Sequence, residues 1–128
     1  VIDDESQFKN AERVLLCTGK IVHELKAERA KMGITDVAIV TIEQLYPFPA
    51  EELSQLLAQY ENAKTVVWVQ EEPANMGALF FVKPLIEEVA GGRSITTVRR
   101  AASASPATGS AKAHAMEQAT LIKFALSN

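Results

Sequence analysis

Thr65-Val66-Val67-Trp68-Val69-Gln70-Glu71-Glu72-Pro73-Ala74-Asn75-Met76-Gly77-Ala78 is the stretch on which the reading of this chain turns. Its first half is near-continuously apolar, the pattern of a strand covered on both faces. Its second half stops that run with two carboxylates and a proline and starts a helix near Asn75. Three further apolar, β-branched runs have the same character: Val14 to Thr18, Val37 to Ile42, and Ser94 to Arg99. Helical spacing separates them. The first such segment carries Ile21, Val22, Leu25 and Met32 and stops at Gly33. The second places Leu53, Leu56, Leu57 and Tyr60 on one face, with Pro49 opening it. The third uses Gly77, Phe81, Leu85 and Val89, and Pro84 is expected to kink or divide it. The last, from about Ser110 to Leu126, aligns Ala113, Met116, Thr120 and Phe124, with Leu121 widening the stripe. Strand and helix in alternation imply right-handed crossovers. The expected fold is α/β, an open, mainly parallel sheet sandwiched by helices in three layers.

With 128 residues, 48% hydrophobic and 23% charged, the chain can enclose one core. The expected organisation is a linker over residues 1–11 and a single α/β domain over residues 12–128. Val1 stands first, and Ile2-Asp3-Asp4-Glu5-Ser6 is acidic and polar like an interdomain segment, so the chain reads as a piece of a longer polypeptide. A complete active site is then not expected within it. Thirteen basic and sixteen acidic residues give a net charge of −3, which favours neither nucleic acid nor an anionic membrane as partner. No stretch approaches the ~20 apolar residues of a membrane span, and no leader-like segment opens the chain. A soluble protein is expected. Cys17, the single cysteine, cannot form an internal disulfide and reads as a buried strand residue of a protein from a reducing compartment.

In open parallel sheets, ligands gather beyond the carboxyl ends of the strands. Those ends supply Thr18-Gly19-Lys20, Glu43-Gln44, Glu71-Glu72 and Arg99-Arg100. Thr18-Gly19-Lys20 stands at a strand-to-helix turn where backbone N–H groups and the helix dipole favour an anion, though it lacks P-loop or dinucleotide spacing and also suits a plain tight turn. Glu71 and Glu72 point in opposite directions as strand neighbours, so they are not a catalytic carboxylate pair. One of them is expected to face the cleft and to form a structural ion pair with Arg99 or Arg100, or to accept hydrogen bonds from the nearby helix N-terminus. Those arginines could equally grip a phosphate or a partner's carboxylate. The small-residue loop from Ala101 to Ala107 would let a ligand or another backbone approach closely. His114 shares a helix face with Glu117 and Gln118. It is short of the ligands a metal site needs, and it is expected to be a hydrogen-bonded helix-face or subunit-contact residue. Ser103 and Ser105 lack a nucleophile elbow. No residue is therefore assigned a catalytic or metal-ligating role. Glu43-Gln44-Leu45-Tyr46-Pro47-Phe48-Pro49 is a rigid apolar loop, costly to leave in water, and is expected to fold back on the core or to contact another domain.

Four blocks in order resemble one enzyme family: Val14-Leu15-Leu16-Cys17-Thr18-Gly19-Lys20; Val37-Ala38-Ile39-Val40 running into Ile42-Glu43-Gln44-Leu45-Tyr46-Pro47-Phe48-Pro49; Val69 to Ala78; and Arg99-Arg100-Ala101-Ala102-Ser103-Ala104-Ser105-Pro106-Ala107-Thr108-Gly109 with Lys112, His114 and Glu117-Gln118. They are similar to the C-terminal domain of the thiamine-diphosphate-dependent 2-oxoglutarate dehydrogenase component, itself similar to the third domain of transketolase. The resemblance implies an enzyme of the citric acid cycle that decarboxylates 2-oxoglutarate oxidatively and passes a succinyl group to lipoyl groups. It implies that thiamine diphosphate and Mg are bound by other domains of the full-length enzyme, with none expected in this fragment, which is inactive alone. The implied partners are the preceding domains of the same chain, a homodimer partner and the lipoyl-bearing acyltransferase. A regulatory site for AMP or acetyl-CoA is also implied in some members, and Lys20, Arg99 and Arg100 are the candidate effector or anion-binding residues. Arg100-Ala101 replaces the Arg-Pro step of many members and looks closer to actinobacterial ones. That implies a bacterial, cytoplasmic location, or the mitochondrial matrix if the source is eukaryotic.

Two other readings stand beside this one. A self-standing α/β module would bind a phosphorylated small molecule in a closed polar pocket lined by Lys20, Arg99 and Arg100. A structural dimerisation domain would instead expose apolar surface around Tyr46, Phe48 and the last helix.

Overall fold

Each apolar run forms a strand in the computed structural model, which describes residues 1–4, 8–73, 76–100 and 111–127. The strands β1 (Arg13–Cys17), β2 (Val37–Thr41), β3 (Thr65–Pro73) and β4 (Ser94–Arg100) alternate with α1 (Ile21–Met32), α2 (Ala50–Ala58), α3 (Leu79–Val89) and α4 (Ala111–Leu126). They pair in the order β2-β1-β3-β4, every pair parallel. The α/β class and the open parallel sheet agree with the sequence reading.

Alternation along the strands builds two cores. Val14, Leu16, Val66 and Trp68 face α2 and α3, where they meet Leu53, Leu57, Val82 and Ile86. Their neighbours Leu15, Cys17, Val67 and Val69 face α1 and α4, against Leu25, Leu121, Ile122 and Ala125. Because the central strands are covered on both faces, both sets of side chains are apolar. The Cys17 thiol lies in the second core, its Sγ 3.8 Å from the Val40 carbonyl it donates to. Burial pushes its pKa up to about 12. We expect native Cys17 to resist alkylation at pH 8 and to react once denaturant unfolds the chain; modification at the free-thiol rate under native conditions would contradict its burial.

Three helices differ in detail from their sequence reading. In α1 the stripe of Ile21, Val22 and Leu25 is buried, but its fourth buried residue is Arg29. Met32 is exposed, because the chain turns away at Gly33, whose φ of 68° makes the left-handed helix stop. In α3 the helix starts at Leu79 and runs unbroken through Pro84, and its buried positions are Leu79, Val82 and Ile86. Pro84 lies soon after the first turn, so the one bond it forfeits would have gone to the carbonyl of exposed Phe80. Asn75, the expected start, and Ser110, the expected start of the last helix, lie outside the described residues, as do Ser103, Ser105 and the loop from Ala101 to Ala107. In α4 the stripe is displaced. Leu121, Ile122, Ala125 and Leu126 are buried, while Met116 and Phe124 are 63% and 67% exposed. Both stripes have helical spacing, so periodicity alone does not choose between them.

Residues 1–4 close the outer edge of β2. Ile2 forms an antiparallel bridge with Thr41, with bonds of 2.8 and 2.9 Å. Asp4 accepts from the Ile39 N–H at 2.7 Å, and Arg29 donates to the Val37 carbonyl at 3.0 Å. Arg29 and Asp4 are themselves a buried ion pair, Nη2 to Oδ1 at 3.0 Å. A strand edge that would otherwise attract other chains is thereby satisfied. Asp3 accepts from Lys9 and from the Tyr60 hydroxyl. Partial burial would raise its pKa, but these bonds overcome that and hold it below the usual value.

Candidate functional site

All four strands end at one edge, and the direction of winding reverses between β1 and β3, so a crevice opens at that point. It is a cleft of about 430 Å³ whose lining includes Thr18, Gly19, Leu45, Gln70, Glu71 and Glu72. Beside it lies a groove of about 520 Å³ between α1 and α4, lined in part by Lys20, Glu24, Glu71, His114, Gln118 and Lys123. Glu71 borders both.

Strand alternation sends the two adjacent carboxylates to opposite sides. Glu71 follows Val67 and Val69 toward α1 and α4; Glu72 follows Trp68 and Gln70 toward the start of α3. Arg100 follows Val98 toward α4, and Arg99 lies on the other face, donating to Thr97 Oγ1 at 3.0 Å. Lys20, exposed at the start of α1, faces the groove. Lys20, Arg99 and Arg100 therefore do not converge on one closed pocket.

The residue that joins the site is Gln118 of α4. Its carbonyl oxygen accepts from Arg100 Nη2, and its amide donates to Glu71 Oε1 at 2.8 Å and to Glu24 Oε2 at 2.6 Å. Arg100 also pairs with Glu117 at 3.0 Å. The guanidinium and Glu71 are thus linked through an amide, and the direct ion pair of Arg100 among the described residues is with Glu117. One side chain ties together β3, β4, α1 and α4. The sequence reading placed Gln118 on one helix face with His114 and Glu117 but gave it no partner outside that helix, since β4 and α4 meet only in three dimensions. His114 is exposed on the groove wall.

This arrangement makes a signed prediction. Gln118→Glu exchanges the donating NH2 for a third carboxylate oxygen between Glu24 and Glu71. We expect a loss of about 1 kcal/mol at pH 7, reduced because Glu24 is exposed. The introduced carboxyl would face Glu24 and Glu71, while the Arg100 guanidinium beside it is already paired with Glu117, so its folded pKa is expected to be raised. The penalty should shrink as pH falls and that carboxyl takes up a proton, restoring a donor. Gln118→Leu should show no comparable recovery. Urea midpoints at pH 7 and pH 4.5 check this, and equal losses at both pH values for Gln118→Glu would contradict the shared-amide geometry.

Gln70 organises the cleft itself. It is buried, accepts from Trp68 Nε1 at 2.9 Å, and donates to the carbonyls of Glu72, Pro73 and Met76 at 3.1, 2.9 and 2.9 Å. The turn it holds passes through Gly77 at φ 69°, where a Cβ would stand 2.9 Å from Glu72 Oε2. Only glycine fits there without displacing the carboxylate. Two further arginines, unassigned from sequence, hold helix ends: Arg93 donates to the carbonyls of Leu57, Tyr60, Ala63 and Ala90, and Arg13 to that of Ala125.

Chemically, the edge is more carboxylate than cation. Lys20 and Lys123 face Glu24, Glu28 and Glu71 in the groove, while Arg100 is already engaged. Among the described residues, no three His, Cys, Asp or Glu side chains come together to hold a metal ion. No helix among them is long and apolar enough to cross a membrane.

Comparison with known proteins gives a consistent picture. The sequence pattern of the family described as 2-oxoglutarate dehydrogenase C-terminal matches residues 1–126. A 2-oxoglutarate dehydrogenase E1 component from Azotobacter vinelandii is 44% identical over 126 residues, covering 95% of this chain and 13% of the relative. Proteins of the same name from Geobacillus sp. (strain WCH70) and Brucella anthropi are 42% and 44% identical, over 92% and 91% of this chain. The chain spans about an eighth of the length of these relatives, 13%, 13% and 12% respectively.

Proposed function

The chain belongs to the 2-oxoglutarate dehydrogenase C-terminal family, and from that premise we propose that it serves as the C-terminal domain of a thiamine-diphosphate-dependent 2-oxoglutarate dehydrogenase component, with the reacting groups held by other parts of the polypeptide. The observation that carries this reading is the Gln118 junction. Glu71 and Arg100 at the strand ends are engaged through Gln118, which binds four elements into one wall, rather than being left to act on a substrate. Residues 1–11 are in this reading the lead-in from a preceding domain, and residues 12–128 the domain proper.

In this reading thiamine diphosphate and its magnesium are bound elsewhere in the polypeptide, since among the described residues no three His, Cys, Asp or Glu side chains come together for the metal. The cleft between β1 and β3 presents Glu71 and Glu72, which would meet a diphosphate with like charge and low affinity. The cofactor's capacity to stabilise a carbanion on a 2-oxo acid is therefore assigned to the remainder of the polypeptide. What these residues supply is shape and stiffness beside it. A homodimer partner and the lipoyl-bearing acyltransferase belong to the same reading.

An effector such as AMP or acetyl-CoA would reach Lys20 and Arg99 directly, but would have to displace Glu117 and Gln118 from Arg100. Lys20→Ala and Arg99→Ala in the full-length protein should therefore weaken any such binding more than they disturb folding, as calorimetric titration would read.

The test of function is an assay of the full-length polypeptide with thiamine diphosphate, Mg and an artificial electron acceptor. It should oxidise 2-oxoglutarate in preference to pyruvate. Turnover of pyruvate with 2-oxoglutarate inert would overturn the substrate assignment.

A further inference from the structure

The last helix has two unlike halves. From Ala111 to Thr120 no residue is buried, and only Ala113 and Gln118 are half-buried. Beyond that point Leu121, Ile122, Ala125 and Leu126 enter the core, and Arg13 donates to the Ala125 carbonyl at 2.8 Å. Thr120 marks the boundary in the backbone, because its hydroxyl donates to the Met116 carbonyl one turn back at 2.9 Å. Such a bond competes with the helix ladder, and it weakens and bends helices. The first turn carries Lys112 and no carboxylate, so its charge opposes the helix dipole. Apolar burial anchors the second half. What ties the first half to β3 and β4 includes the bonds of Glu117 to Arg100 and of Gln118 to Arg100 and Glu71. Those bonds also stand between two spaces. His114, Ala115, Gln118 and Ala119 form part of one wall of the groove, and Glu71, which Gln118 holds, borders groove and cleft alike.

We propose that Ala111–Thr120 is a latched arm, which detaches from the sheet while the rest of the fold stays intact. Thr120 is its hinge and the Gln118 amide its latch. Release joins the groove to the cleft and exposes Arg100 and Glu71 to solvent. A segment this short, once freed from its packing, does not stay helical in water, so the open form has lost the arm's backbone hydrogen bonds. The arm is a property of this chain, whatever the remainder of the polypeptide does.

Amide hydrogen exchange of the 128-residue chain, read residue by residue by NMR, tests this. Corrected for intrinsic rates, the N–H groups of Ala115 to Thr120 should exchange at least about tenfold faster than those of Leu15 and Val67 in the central strands. Equal rates would overturn the proposal. Two variants separate local release from global unfolding. Gln118→Leu removes the latch and should speed the arm several-fold. Ile86→Val, in the core on the far face of the sheet, destabilises the closed and open forms alike, so it should speed Leu15 and Val67 and leave the arm unchanged. Arm rates that rise with Ile86→Val as the central strands do would mean that the arm opens only when the whole chain unfolds, and the proposal falls. It falls equally if Gln118→Leu leaves the arm rates where they were, since Gln118 is then no latch.

Discussion

Asp4→Ala is expected to lower the unfolding free energy of this chain by about 3–5 kcal/mol, the typical cost of removing one partner from a buried ion pair. Asp4 is 2% exposed and Arg29 7%. The substitution takes from Arg29 the carboxylate that receives both of its terminal nitrogens, and from Ile39 the acceptor of its N–H. Arg29 keeps the Val37 carbonyl but loses the Asp4 charge that helped to offset its removal from water. Against a domain stability of about 5–15 kcal/mol, the loss is large. Asp4→Asn, which preserves shape and an acceptor, should cost less than the alanine. Denaturant unfolding monitored by circular dichroism reads all three proteins. A loss below about 1 kcal/mol for Asp4→Ala would mean that the segment frays and lets water reach Arg29.

Gln70→Leu is expected to cost about 2–3 kcal/mol while keeping the side-chain volume nearly unchanged. The buried Trp68 N–H loses its acceptor, a penalty of about 1–3 kcal/mol by itself. The carbonyls of Glu72, Pro73 and Met76 lose their common donor, though being near the surface they can turn to water. Trp68 is the chain's single tryptophan, so its fluorescence reports the event directly. As the turn opens, its emission should shift to the red. Unchanged emission with a stability loss under about 0.5 kcal/mol would show that Gln70 does not organise the cleft.

How far the sequence carried this picture depended on the range of the interactions involved. The strands were legible because a parallel strand covered on both faces must be apolar throughout, and Val66-Val67-Trp68-Val69 allows no other reading. The carboxyl-edge placement of Lys20, Glu71 and Arg100 followed from the same parallel order. What escaped was set by contacts between distant elements. Arg29 sits where an amphipathic pattern calls for an apolar residue, and among its partners are Asp4, 25 positions away, and the Val37 carbonyl. The stripe of α4 was misread because Met116 and Phe124 compete with Leu121 and Ile122 at the same spacing, and the sheet beneath decides. Gln118 was visible as a neighbour of Glu117, but its link to Glu71 spans 47 positions and leaves no local mark. Gln70, by contrast, could have been suspected. A polar residue immediately after an apolar strand, beside a tryptophan and before a proline and a glycine turn, has few ways to be buried except as a loop clamp.

The measurement that bears most directly on the account compares the full-length polypeptide with one lacking these 128 residues, for 2-oxoglutarate oxidation and native mass, alongside this chain alone. A structural wall that completes the assembly without supplying reacting groups predicts that the truncated protein loses activity and its native mass per subunit count, while this chain alone is inert. Full activity in the truncated protein, or turnover by the isolated chain, would contradict it.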